Sequence, residues 1–391
     1  MVLLLGSGCQ LSQRSSDALV TPLRDYRGDF PETAEDPGLP TPALQAPARP
    51  PAPVIEAFDS ASGSTNHWVS LETWAVRHGV GRPQPVPSVV APTCWIQSTR
   101  GKFEVAAGTR TVRWNGLEHW LGFAPRANHG QLELHVLDLE KNLAPLMIGP
   151  PELAETNRVI VIDPGHGGED TGARSVASER CEKDYTLDWA QRLQKLLATN
   201  GWRVFLTRTN DSDQSLSNRV SSARQMKADV FLSLHFNAAP LNRQRSGLET
   251  YCLTPTGLPS TLTRDFPDDP GLVFPNNAFD AQNVQLAACL HRGLVAATGR
   301  VDGGVRRARF MGILRGQERP AALLEGGYLS NPQEAELIGR PDYRQKLAEA
   351  VACGLANHAA SRGQVQKKKA SLRMPSSKYL GRDYLPIENV L

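Results

Sequence analysis

Apolar and polar positions alternate in two ways along this chain, and the change falls near residue 157. Upstream, HWVSLETWAVRHGV spaces Leu71, Trp74 and Val76 so as to predict a short helix with these three inward. KFEVAAGTRTVRWNG then predicts a hairpin, and LEHWLGF and QLELHVLDLEKNL complete a small α+β module assigned to residues 56–150. Downstream, unbroken apolar runs take over. Strands are predicted at 158–163, 202–207, 229–236, 248–253 and 321–325. Between the first two lies DYTLDWAQRLQKLLATNG, where Leu187, Ala190, Leu193, Leu196 and Leu197 form one helical face and Gly201 provides the stop. Further helices are expected at 217–227, 281–298 and 343–360. Strands alternating with helices of this length predict an α/β fold, a mostly parallel sheet flanked by helices and preceded by the α+β module.

Three segments lack a period. Residues 1–55 are polar and proline-rich after a short apolar start and read as a signal- or lipoprotein-like beginning followed by a disordered linker. Residues 254–280 hold five prolines and read as an insertion or lid, and residues 362–391 as a polar basic tail. The start MVLLLGSGCQ places Cys9 after small residues, as at the end of a lipoprotein signal, but lacks a basic leading region and has Gly6 three positions before the cysteine. A lipid anchor at Cys9 is therefore one expectation and an ordinary N-terminus the other.

Composition narrows the classes. Net charge is only +3 over 391 residues and the lysines at 367–369 lie in the tail, so nothing favours nucleic acid. No apolar run approaches the ~18–20 residues of a membrane span. The six cysteines, at 9, 94, 181, 252, 289 and 353, form no CxxC pair and leave the redox compartment open.

The chemistry centres on RVIVIDPGHGGEDTGARS, where a buried strand ends in a proline- and glycine-forced turn that presents His166. In open α/β folds ligands bind outside the carboxyl ends of strands. Glu182 stands at the start of the next helix, His235 ends the strand ADVFLSLH, and Glu325 ends AALLE. Two imidazoles and a carboxylate are a common protein shell for catalytic zinc, with a fourth position left for water, and Glu325 is then the natural base. Singly, each residue has a plain structural reading: a turn histidine, a helix-dipole glutamate, a core histidine. GHGGEDTG matches neither the dinucleotide fingerprint nor the Walker pattern.

The ordered set VIVIDPGHGGEDTGA, CEKDYTLDWAQRL, RVFLTRTND, LSNRVSSARQMKADVFLSLHFNAAP and PAALLEGGYLSNPQEAELI resembles the zinc-dependent N-acetylmuramoyl-L-alanine amidases of the amidase-3 type, over roughly half the chain, residues 157–361. The resemblance implies hydrolysis of the amide between N-acetylmuramic acid and L-alanine in peptidoglycan by a zinc-activated water. On matching positions it implies His166, Glu182 and His235 as ligands of Zn2+ and Glu325 as general base and acid. It also implies peptidoglycan as partner and a bacterial envelope location, periplasmic or extracellular; a regulatory protein partner is left open. The alternatives are a zinc peptidase acting on stem peptides and a wall-binding protein without catalysis. Asn237 is read as a turn former or as a residue orienting His235 or touching substrate, and Arg208 and Arg219 as structural partners.

Overall fold

A computed structural model of the chain describes residues 67–149, 157–262 and 268–373. Cys9 and the segment 1–55 lie outside the described residues. The strands in chain order are β1 (Trp68–Ser70), β2 (Gln84–Val86), β3 (Thr93–Ser98), β4 (Gly101–Ala106), β5 (Thr111–Trp114), β6 (Leu117–Trp120), β7 (Arg126–Asn128), β8 (Gln131–His135), β9 (Val159–Pro164), β10 (Arg203–Leu206), β11 (Val230–Asn237), β12 (Leu248–Cys252), β13 (Asp302–Arg307) and β14 (Ala321–Tyr328). The helices are α1 (Leu71–Arg77), α2 (Val136–Asp138), α3 (Ala144–Met147), α4 (Glu182–Thr199), α5 (Leu216–Gln225), α6 (Asp280–Thr298), α7 (Gly312–Arg315), α8 (Pro332–Gly339) and α9 (Pro341–Arg373). The last helix extends past the expected end near 360.

One 11-stranded sheet runs through the molecule in the order β10-β9-β11-β14-β12-β13-β6-β5-β4-β3-β2. Strands β10, β9, β11 and β14 are parallel, as the apolar runs predict. β12 reverses against β14, β13 follows β12 in parallel, and a parallel bridge between Val305 and His119 joins β6 to β13. From β6 to β2 the sheet is an antiparallel meander. The upstream strands thus continue the downstream sheet without a break, and only β1, β8 and β7 form a separate small sheet.

Burial explains the joint. One face of the central strands, through Ile160, Ile162, Leu232, Leu234 and Leu324, packs on α4, α6 and α9. The other face, through Val161, Phe231, Leu323 and Tyr251, packs on Ala223 of α5 and on Ile313 and Leu314 of α7. The upstream strands bury Ile96, Phe103, Val105, Val112 and Trp114 against α1 and α3, and Val284 and Ala288 of α6 complete that cluster. Helix α6 therefore seals both parts of the sheet.

Two helical faces differ from the sequence reading, α1 at one position and α4 at two. In α1, Ala75 is buried and Val76 is 54% exposed, because 71, 74 and 75 follow the helical repeat and 76 does not. In α4 the inward row is Tyr185, Trp189, Ala190, Leu193 and Leu197, while Leu187 and Leu196 are half-buried. Trp189 packs on Phe236, with ring centroids 5.4 Å apart, and sets this rotation.

Strand direction also corrects the lid expectation for residues 254–280. Glu249 lies opposite Glu325 and Tyr251 opposite Leu323, so β12 runs from the carboxyl edge of the parallel strands toward their amino edge. The described parts of the segment follow it there. Asn276 donates to the carbonyl of Arg319, just before β14 begins, at 2.8 Å, and the buried Arg309 guanidinium donates to the carbonyl of Leu258 and pairs with Asp268. The described residues 254–262 and 268–280 are fastened to the edge opposite His166.

Candidate metal centre

Strand β9 closes on Asp163-Pro164, and two buried arginines gather the carbonyls that follow. Arg219 pairs with Asp163 at 2.7 Å and donates to the carbonyls of Pro164 at 2.9 Å and His166 at 2.8 Å. Arg208 donates to the carbonyls of Pro164 at 3.1 Å and of Gly165 and Lys183, both at 2.8 Å. These contacts hold His166 at φ 64°, a left-handed conformation that costs an ordinary residue about 1–2 kcal/mol. Such strain persists where surrounding structure over-determines it, as in functional sites. Gly165 and Gly172 wall the same space, since a Cβ at 165 would fall on the His235 ring and one at 172 on His166 and Glu182. Both positions are glycine because the donor groups approach the backbone so closely.

Glu182 occupies the first turn of α4 and is fully enclosed. One carboxylate oxygen faces His166 Nε2 at 3.1 Å and accepts from the amide of Ala173 at 3.0 Å. The other faces His235 Nδ1 at 2.9 Å and accepts from the amide of Phe236 at 2.9 Å. One ligand atom from each of His166, Glu182 and His235 falls within 4.8 Å of the others, and this is the one such group among the described residues. The structure therefore brings three of the four predicted site residues into a single donor cluster.

Glu325 stands beside it. It is paired in register with His235 on one side and Glu249 on the other, it is buried, and its Oε2 has no hydrogen-bond partner among the described residues. Burial, reinforced by the charges of Glu182 and Glu249 and opposed by His166, raises its pKa well above the carboxylate range. That direction suits a group that must exchange protons near neutral pH. At His166 burial disfavours protonation, but the Glu182 charge and hydrogen bonds to Asp170 and Glu182 outweigh it and raise the pKa to about 10.

Two residues escaped the sequence reading. Asp170, in the same turn, accepts from His166 Nδ1 at 2.9 Å. With Nδ1 so engaged, neutral His166 keeps its Nε2 lone pair toward the cluster, the role outer-shell carboxylates play for metal-bound histidines. The GHGGED spacing carried this signal, since Asp170 is four residues from His166. Asp170→Asn is expected to weaken metal affinity by about 10–100-fold, measured by competition with a chromogenic chelator.

The second is Glu249, buried on β12. It accepts from Tyr251 Oη at 2.6 Å, Asn237 Nδ2 at 3.0 Å, Tyr328 Oη at 3.1 Å and Arg245 at 3.1 Å, with Arg306 3.5 Å away. Asn237 thus orients Glu249, not His235. Burial opposes ionisation of Glu249, but the charges of Arg306 and Arg245 and the Tyr251 hydroxyl hold its pKa below the usual range. Glu249→Ala would leave two guanidinium groups and two phenols without this acceptor and cost about 3 kcal/mol of stability, read from chemical denaturation. Cys181 is buried at the start of α4 and contributes no atom to the donor cluster.

An open set of two imidazoles and a carboxylate at the carboxyl edge of an α/β sheet, with a buried unbonded carboxyl alongside, is the arrangement of a metal-dependent hydrolase. The chain belongs to the N-acetylmuramoyl-L-alanine amidase family Amidase_3, whose model matches residues 160–357. Among curated proteins it is 32% identical over 247 residues to N-acetylmuramoyl-L-alanine amidase AmiC of Escherichia coli O6:H1, covering 57% of this chain and 58% of that one. It is 28% identical over 228 residues to the germination-specific N-acetylmuramoyl-L-alanine amidase of Bacillus subtilis, covering 55% and 85%. The chain thus spans little more than half the length of the first of these relatives. Among solved structures, the catalytic domain of CwlV from Bacillus (Paenibacillus) polymyxa var. colistinus is 29% identical with a TM-score of 0.43, covering 52% of this chain and 98% of that one.

Proposed function

We propose that this chain hydrolyses the amide bond between N-acetylmuramic acid and L-alanine in peptidoglycan, with zinc held by His166, Glu182 and His235 and with Glu325 as the proton-transfer group. The observation that carries the reading is the convergence of these three donor residues beside Glu325 within the region matched to the amidase family. The donor set fits zinc: two imidazoles and one carboxylate suit its borderline character. Zinc bound there supplies Lewis acidity toward the scissile carbonyl and lowers the pKa of water.

The protein's own residues do the rest. Glu325 takes the proton from the attacking water and returns it to the departing L-alanine amine; its unbonded Oε2 leaves it free for both transfers. Asp170 fixes the His166 ring, and Glu249, held by four hydrogen bonds, sets a charged boundary beside Glu325. Arg208 and Arg219 keep the His166 turn in its strained conformation.

The same reading locates the chain in the bacterial envelope, periplasmic or extracellular, with acylation of Cys9 as its finer form. No helix among the described residues is long and apolar enough to cross a membrane. The test of activity is a soluble N-acetylmuramoyl-L-alanyl peptide incubated with zinc-loaded protein. Release of a free L-alanine N-terminus supports the reading, and an intact substrate under conditions that a related amidase cleaves contradicts it.

A further inference from the structure

The sheet that carries Glu325 does not end at the catalytic strands, and its register shows where its solvated side leads. Residues paired across neighbouring strands share a face. Glu325 pairs with Glu249, β13 adjoins β12 through its glycines, and across the β13 to β6 bridge the row continues through Glu118, Arg113, Glu104 and Trp95. The alternate residues of β3 to β6, Ile96, Phe103, Val112 and Trp114 among them, fill the core beneath. Side chains of the row enter no core cluster. Arg113 is exposed, and Glu118, Glu104 and Trp95 are half-buried. Helices α5 and α7 cover this face only as far as Tyr251 on β12. On β13 Arg306 is still buried, and the face becomes exposed from β6 to β3, at Lys102 and Arg113.

We propose that this open face of β3 to β6 binds the glycan strand on which the scissile bond hangs, as a subsite continuous with the metal centre. The proposal rests on the amidase reading, which makes the substrate a polymer extending past the cleaved bond. Strand spacing of about 4.8 Å carries the row about 14 Å from Glu325 to β6 and about 29 Å to β3, the scale of a few sugar rings. The sheet twist of roughly 20–25° per strand turns the face gradually along that path, so the occupant is a flexible chain and not a flat one.

The surface chemistry matches a neutral amino-sugar polymer. Trp95 offers an indole with Lys102 Nζ 4.7 Å from the ring centroid, and Trp120 on β6 lies on the same face with Arg306 4.6 Å from its ring. Indole faces pack against the C–H faces of sugars, and Glu104, Glu118, Arg113 and Lys102 supply both donors and acceptors. Their charges cancel, which gives no attraction to a polyanion. Arg306 also ties the face to the centre, since it lies 3.5 Å from Glu249, the neighbour of Glu325.

The test uses full-length Glu325→Gln protein, so that substrate survives, and soluble β-1,4-linked N-acetylglucosamine oligomers, a neutral amino-sugar chain without lactyl groups or stem peptides, with peptide-bearing glycan strands as the comparison. Trp95→Ala and Arg113→Ala are each expected to weaken binding by about tenfold, near 1.4 kcal/mol, with unchanged thermal melting. Unchanged binding in both variants overturns the proposal, as does a loss seen only with peptide-bearing material, which would assign the face to the stem. If wild-type protein releases stem peptides while both variants bind glycan normally, the surface fails and the amidase reading stands. If wild type releases none, the amidase reading fails by itself.

Discussion

Glu325→Gln is expected to abolish turnover while leaving the metal in place. The amide keeps the size of the carboxyl, and Glu325 is not one of the clustered donors, so zinc content by mass spectrometry stays at the wild-type level. The amide has no basic oxygen for the water proton and no acid to give the leaving amine. Loss of a general acid–base group lowers rates by about 10²–10⁴-fold, and here one residue performs both transfers, which places the effect at the upper end. Stability should rise slightly or hold, because a neutral amide removes the carboxyl that faces Glu182 and Glu249 in a buried place. A variant that lost zinc along with activity would place Glu325 among the ligands instead.

Glu182→Gln produces the opposite pattern. Glu182 is the hub of the cluster, with one oxygen toward each imidazole and each oxygen also receiving a backbone amide. Its charge lies well below the normal range of pKa despite complete burial, because the two histidines stabilise it. Glutamine keeps the volume but removes the negative charge and turns an N–H group toward one of the partners. Metal affinity is expected to fall by more than about 100-fold, and activity with it, since a ligand is lost and not only an outer partner. Excess zinc should restore part of the activity of Asp170→Asn and little of Glu182→Gln. Equal rescue of the two would contradict the assignment of Glu182 as a ligand.

Much of this centre was legible because each functional residue ends or begins an element with a strong pattern. His166 follows the VIVI run, His235 closes an apolar strand, Glu325 closes another, and Glu182 opens a helix with a clear stop. Other features had no such signal. β13 reads DGGVRR, and its arginines are buried by specific polar partners, Arg306 near Glu249 and Arg307 on Asn142 and the Leu253 carbonyl, so no apolar alternation betrays the strand. Missing β13 hides the bridge to β6 and hence the fusion of the two parts into one sheet. The direction of β12 is equally silent, because a short buried strand looks the same whichever way it runs. It decides both that Glu249 stands against Glu325 and that residues 254–280 leave for the far edge. Asp170 lies inside the motif without a pattern of its own, and only the 2.9 Å contact to His166 gives it a role.

The position of the described residues 254–262 and 268–280 changes what controls access to the centre. The segments at the carboxyl edge include the His166 turn, the loop after Leu206, the stretch between β11 and β12 and the turn after Tyr328. In these, Gly168 and Glu169 donate their amides to Asp211 at 2.7 Å and Asp213 at 2.9 Å, and Lys183 pairs with Asp211 at 2.7 Å. These contacts brace the wall of the site from the side of β10, opposite the face of β3 to β6. A substrate chain would therefore be expected to lie across β12, β13 and the meander.

The most direct measurement is fragment analysis by mass spectrometry of purified sacculi digested with zinc-loaded wild-type protein. The account predicts glycan strands bearing unsubstituted lactyl carboxyl groups and complete stem peptides with free L-alanine N-termini, both absent after chelation and with Glu325→Gln. Peptides cut within the stem, with L-alanine still attached to muramic acid, would show a zinc peptidase and contradict it.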